Sequence, residues 1–345
     1  MWKKHMCMVD ICRFAAILMI MGHHRYILGY TGNYLFANGW AWVEYFFMLT
    51  GYFTMAHFEK LQIEQKDYGR EALQYTFKKV SPFIKYVFAA TLIEYVVEGF
   101  HFVREGNVVQ FFKEFVNFPF EIGLLTSAEF SGAKNAPIWY LSAMFLVLPL
   151  LICCMLKWKD IWVVVSFMLP ILYYGKMGIN TERLWPNDLI RAYVAMTFGM
   201  FAYYVAQTIK KCTWNNNKKI VLTSMEVISF LLAIYITAFN KSNMDWLIFL
   251  FLINISIMLS GCSATSNIHG RKYEILGQIT LPMFIFHWPM GAVALHFSQE
   301  PRIKMLIYYV ATVLVAIGVT VLSNLVNKHK KMEEICDENV GKHAK

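Results

Sequence analysis

Apolar runs of about 20 residues recur from one end of this chain to the other, the length an α-helix needs to cross the hydrocarbon core of a bilayer. They stand near residues 9–28, 41–58, 82–102, 137–156, 160–175, 189–209, 220–239, 245–260, 276–297 and 303–326, which makes ten spans. Inside a bilayer the backbone must satisfy its own hydrogen bonds, so runs like these fold as helices. The expected fold is therefore an all-α integral membrane protein with about ten transmembrane helices. Composition agrees: 57% of residues are hydrophobic and only 16% charged, against roughly a quarter charged in soluble domains. The first run carries Asp10 and Arg13 instead of a short h-region with a small-residue exit, so no cleavable signal is expected.

The net charge of +9 is not a nucleic-acid signature, because its distribution follows the spans. Alternate connections hold most of the basic residues: Lys3 and Lys4, then Lys60 through Lys79, Lys157 and Lys159, Lys210 through Lys219, Arg271 and Lys272, and the tail from Lys328. The opposite connections hold fewer, among them Arg25, Arg104, Lys113, Lys134, Lys176 and Arg183. Basic residues mark the cytoplasmic side, and an even number of spans puts both termini there. Arg191 lies just inside a span and belongs to neither set. The seven cysteines fall near the same inner face, where thiols stay reduced. Their spacing fits neither a disulfide framework nor a metal site. One membrane domain over residues 1–327 and a charged cytoplasmic tail over 328–345 account for the chain. Residues 59–81 read as an interfacial helix on the inner side, and 103–136, with four phenylalanines, as an outer-surface segment.

The polar residues within the apolar runs are the candidates for chemistry, because charge in hydrocarbon costs roughly 2.5–3.5 kcal/mol per residue on insertion scales. Arg13 and His24 are eleven residues apart, so on one helix they share a face about 16 Å apart along the axis. An imidazole titrates near working pH and suits general-base work, although a histidine at a helix end also faces headgroups. His23 is rotated by about 100° and reads as a neighbour of the base. Glu44 stands near the outer end of the second run, at about the depth of His24, where it either orients the imidazole or is a solvated interfacial acid. Arg70, Lys78 and Lys79 at the inner side either cradle phosphates or anchor the chain. Trp139 opens the fourth long run as a boundary aromatic. His287 lies near mid-membrane beside Pro289, a proline that can break the helix, and is either a cavity residue or a satisfied core histidine. Glu94 and Glu98 receive no role.

Taken in order, these segments resemble the acyltransferase-3 family of multi-spanning membrane acyltransferases. Asp10, Arg13 and His24 are similar to that family's Asp-x-x-Arg with a histidine eleven residues after the arginine. Val43 to Tyr52 resembles its acidic-aromatic stretch, with Thr50 replacing serine before Gly51. Phe77 to Pro82 resembles its basic pair before proline, with lysines in place of the usual arginines. Trp139 to Pro149 and Leu276 to Pro289 resemble its Trp-x-Leu…Pro and Leu-Gly…His-x-Pro segments. Many relatives that modify envelope polysaccharides carry a glutamate where this chain has Ala143 and Met144, so the likeness is to the short branches acting on secreted polysaccharides.

The resemblance implies transfer of an acetyl or other short acyl group from cytosolic acetyl-CoA (or another acyl-CoA) to a carbohydrate hydroxyl. His24 and Glu44 would be catalytic, and Arg13, Lys78, Lys79 and Arg70 would bind the donor. Asp10, His23, Trp139 and His287 would support substrate or structure. No metal and no nucleic acid are expected; the partners are the bilayer and the acceptor, and a homodimer stays open. A multi-pass bacterial plasma-membrane location follows. The alternative is a polysaccharide or small-solute transporter using the same polar residues as a path.

Overall fold

The computed structural model describes residues 6–30, 35–128, 134–179, 186–239 and 244–343, those beyond 327 as helix backbone. Helices and their connecting turns form all of it, with no strand among the described residues. In chain order the helices are α1 (Cys7–His23), α2 (Trp42–Phe58), α3 (Tyr68–Arg104), α4 (Val108–Phe115), α5 (Phe118–Ile122) and α6 (Ile138–Lys157). Then come α7 (Trp162–Met177), α8 (Asn187–Lys211), α9 (Asn216–Phe239), α10 (Leu247–Ser260), α11 (Arg271–Phe297) and α12 (Pro301–His343). A 3₁₀ turn, His24–Leu28, continues α1.

Among the described residues, eight helices are long and apolar enough to span a bilayer: α1, α3, α6, α7, α8, α9, α11 and α12. The chain is thus a multi-pass membrane protein. The expected count of ten stands at eight by this measure, and the two segments outside it are α2 and α10. α10 extends only from Met244 to Ser260 with its leading turn. α2 is diluted by Glu44 and His57, but 13 of its 17 residues are buried. A helix enclosed by protein need not be apolar all round, and α2 lies along α8 with α1, α6 and α10 at its flanks. α1, α6, α8 and α11 are inner helices, burying 61–67% of their most apolar stretch, whereas α7 and α12 bury 22% and form the rim.

The centre is set by close backbone contact. A Cβ on Gly51 of α2 would lie 1.8 Å from the Met196 carbonyl oxygen of α8, and one on Gly199 of α8 would lie 1.9 Å from that of Met48. Only reciprocal glycines permit this crossing, the small-residue packing that membrane helices use in place of a hydrophobic drive. It brings the first turn of α2 beside the first turn of α8. Two expectations are corrected. The inner segment before Pro82 is not a separate interfacial helix: α3 runs unbroken from Tyr68 through Pro82. Nor does Pro289 break its helix, since α11 continues through both Pro282 and Pro289. The carbonyl that Pro289 deprives of a partner is that of Ile285, and it accepts a hydrogen bond from Asn135 Nδ2 at 3.2 Å.

Candidate active site

His24 is buried just beyond the C-terminal end of α1 and bonds to His287 on α11, whereas Glu44 bonds elsewhere. The rings stack with centroids 4.9 Å apart, and His24 Nδ1 lies 2.8 Å from His287 Nε2. The backbone assigns the tautomers. His287 Nδ1 sits 2.7 Å from the Phe284 carbonyl oxygen, which can only accept, so Nδ1 is the protonated nitrogen. Neutral His287 then accepts at Nε2 from His24 Nδ1–H, which leaves His24 Nε2 as the basic nitrogen. This is the logic of a base oriented by a second group, with an imidazole and a carbonyl where a carboxylate was expected. His23 Nδ1 donates to the Ala37 carbonyl at 2.6 Å, tying the end of α1 to the turn before α2.

Glu44 is fully buried and bonded to Arg191 of α8, whose Nε donates to Glu44 Oε1. The expectation that Glu44 orients His24 is corrected on this ground: a carboxylate in a membrane interior takes the nearest cation, and the Gly51–Gly199 crossing supplies Arg191. The guanidinium lies 5.4 Å from the ring centroids of both Trp40 and Trp139, within cation–π range. Trp139 is therefore a wall of the site and a clamp on Arg191. Arg191 was missed as a candidate, although an arginine just inside a span demands a buried partner.

Three separate cavities, neighbours sharing a lining residue, lie between Lys78 and His24. The first, about 490 Å³, is lined by His57, Glu71, Tyr75, Lys78 and Lys79 among others. The second, about 180 Å³, holds Arg13, Lys79, Thr50, Tyr140, Met144 and Phe284 in its wall. The third, about 290 Å³, is lined by His23, His24, Tyr26, Trp40, Trp139, Arg191 and Phe284. Lys79 is common to the first two and Phe284 to the last two, so the Phe284 ring stands in the wall of both the cation-lined cavity and the histidine cavity. Arg13 and Lys79 are the charged residues lining the middle cavity. Arg70 is not among the residues lining these three cavities: it is exposed and bonded to Asp67 at 3.1 Å, with Glu71 at 3.8 Å, in a local ion pair at the start of α3.

Asp10 is buried beside Arg13, 3.9 Å from its guanidinium, and faces Gly277 of α11. A Cβ on Gly277 would come within 2.1 Å of Asp10 Oδ1, so the Leu276-Gly277 pair is the socket for that carboxylate. At the other end, Glu121 holds the segment that carries Pro137 and Trp139. It accepts from the backbone N–H groups of Lys134 (2.8 Å) and Asn135 (3.2 Å) and from Tyr95 Oη (3.0 Å). Burial pushes the Glu121 carboxyl up despite these donors. Lys134 Nζ pairs with Glu98 at 3.2 Å and with Glu114. Burial opposes ionisation of Glu114, yet the bonds from Lys134 and Gln110 hold it below the ordinary carboxylate range.

These are the features of a helical membrane protein in which a paired imidazole lines one cavity and two cations line the next. The family model of the acyltransferase-3 acyltransferase domain matches residues 9–324, and the chain belongs to that family. Membrane acyltransferase activity follows from the family. No curated protein and no solved structure matches the chain significantly.

Proposed function

We propose that this protein is an O-acyltransferase that moves an acetyl, or another short acyl group, from cytosolic acyl-CoA to a hydroxyl of a surface or secreted carbohydrate. The observation that carries the reading is the line of three cavities from Lys78 and Lys79, past Arg13, to the His24–His287 pair. The donor's phosphates meet the lysines at the Lys78 end, and its thioester arm runs through the middle cavity between Arg13 and Phe284. Lysine and arginine suit this task as charge-assisted donors to phosphate oxygens. The charge asymmetry of the connections supports placing that end in the cytosol and both termini with it. The membrane is then a bacterial plasma membrane, with the acceptor arriving from outside.

At the outer cavity His24 Nε2 removes the acceptor hydroxyl's proton as its oxygen attacks the thioester carbonyl carbon. The C–O bond forms, the C–S bond breaks, and the CoA thiolate leaves with the proton that His24 has taken. His287 supports the transient imidazolium by accepting its Nδ1–H. Transfer through an acyl-His24 intermediate balances equally and uses the same residues.

The test is transfer of radiolabelled acetyl from acetyl-CoA to carbohydrate by the purified protein in proteoliposomes. Label on the glycan that depends on the protein and on His24 is the expected result. Movement of solute across the vesicle wall without acyl-CoA and without labelled product would replace this reading with a transporter. Mass spectrometry of glycans from a deletion strain, read for a missing acetyl or succinyl increment, identifies donor and acceptor together.

A further inference from the structure

The Glu44–Arg191 pair makes one hydrogen bond where its groups offer two. A guanidinium and a carboxylate commonly meet through two parallel bonds. Here Nε reaches Oε1, while Arg191 Nη2 and Glu44 Oε2 are both buried and make no hydrogen bond within the protein. A buried donor and a buried acceptor left this way keep the full cost of leaving water, which is largest for charged groups. They are not remote from the chemistry: Arg191 lines the same cavity of about 290 Å³ as His24.

One ligand group answers both atoms. A hydroxyl accepts one hydrogen bond and donates another, so it can take Nη2–H and give its own proton to Oε2. The surroundings fix the rest of the ligand's character. Arg191 is the charged residue lining this cavity, and its charge is already paired with Glu44. The indoles of Trp40 and Trp139 add apolar walls. A guanidinium already paired with a carboxylate offers a ligand little net charge, so such a pocket suits an uncharged, hydroxyl-rich group better than a second carboxylate.

We propose that Arg191, held by Glu44, is the acceptor-positioning residue: the pair binds a second, non-reacting hydroxyl of a neutral pyranoside while His24 acts on the first. This rests on the acyltransferase reading and narrows its acceptor to sugars without a carboxylate near the reacting position.

The test uses the full chain in lipid nanodiscs, with radiolabelled acetyl-CoA and two acceptors, a methyl pyranoside and the matching methyl uronide. The wild type is expected to favour the neutral sugar in kcat/KM by about tenfold or more, the scale of one charge-assisted hydrogen bond. Arg191→Lys keeps the charge and loses the fork, and should raise the acceptor KM by a similar factor, about tenfold, with the acetyl-CoA KM changed by less than about twofold. That retained donor KM also reports a folded protein. Glu44→Gln removes one negative charge and should narrow the preference against the uronide. Equal use of the two sugars by the wild type, or an unchanged acceptor KM in Arg191→Lys, overturns the assignment and leaves the acyltransferase intact. Transfer to neither sugar from bound acetyl-CoA overturns both.

Discussion

The two ends of the bundle hold their polar groups in different ways. At the His24 end each candidate is tied to another helix: His24 to His287 on α11, Glu44 to Arg191 on α8, and Asn135 to the carbonyl freed within α11. At the Lys78 end the contacts are local. Arg70 pairs with Asp67 and Glu71 on its own turn, and Lys79 lies 5.7 Å from the ring centroid of Tyr75, four residues before it. The first arrangement holds each side chain from two helices at once, the kind of positioning that bond-making needs. The second presents charge on flexible stems, which suffices to hold phosphates. On the proposed function, the difference would give the first end to bond-making and the second to holding the donor.

Substitutions at the two ends should therefore separate sharply. His24→Ala is expected to abolish transfer to the background, with membrane insertion intact. His287→Ala, which removes the orienting partner, should lower kcat by about 10²-fold, within the usual range of general-base effects. Near-normal turnover in either variant would break the contrast at its rigid end. Gly277→Ala comes next: its new methyl meets Asp10, and overpacking of this kind costs about 1–3 kcal/mol. A lower melting temperature of the purified protein, with the loss partly relieved by Asp10→Ala, is the expected reading.

At the adaptable end the effects should be smaller and confined to the donor. Arg13→Ala or Lys79→Ala should raise the acyl-CoA KM about tenfold with little change in kcat, as removal of uniform binding does. Arg70→Ala should leave both constants within about twofold, because exposed ion pairs are worth at most about 1 kcal/mol. An Arg70 effect as large as that of Lys79 would restore it to the donor site. The smallest effect concerns the Lys134 clasp. Glu114 titrates below its ordinary range in the folded protein, so its contribution is present above that range and is lost as pH falls through the depressed value. Hydrogen exchange at the Lys134 and Asn135 amides should quicken under acid before the inner helices open, and simultaneous opening would deny the clasp a separate existence.

Much of the site was legible one helix at a time. Arg13 and His24 stood out because both lie on α1, and Lys79 because it belongs to a basic run. Each does line one of the three cavities. Trp139 was visible as a boundary aromatic, yet its contact with Arg191 was not. Phe284, one phenylalanine among many in an apolar run, carried no local mark of lying between two cavities. Asn135 carries no mark in the sequence, and its amide finds the Ile285 carbonyl that Pro289 leaves without a helical donor. Glu44 stood open between orienting His24 and facing solvent, and it is instead buried against Arg191 of α8.

What the amino-acid sequence determined by itself is the class of molecule: helical, multi-pass, with an acid, an arginine and a histidine in its first span, and a likeness spread along nearly the whole chain. These are local properties, set by the length of apolar runs and by the cost of charge in hydrocarbon. Which polar group meets which was decided only by tertiary structure. His24 and His287 are 263 residues apart, and Glu44 and Arg191 are 147 apart. Their pairing depends on which helices become neighbours, and for Glu44 and Arg191 that choice was made by two glycines whose missing side chains let α2 and α8 touch.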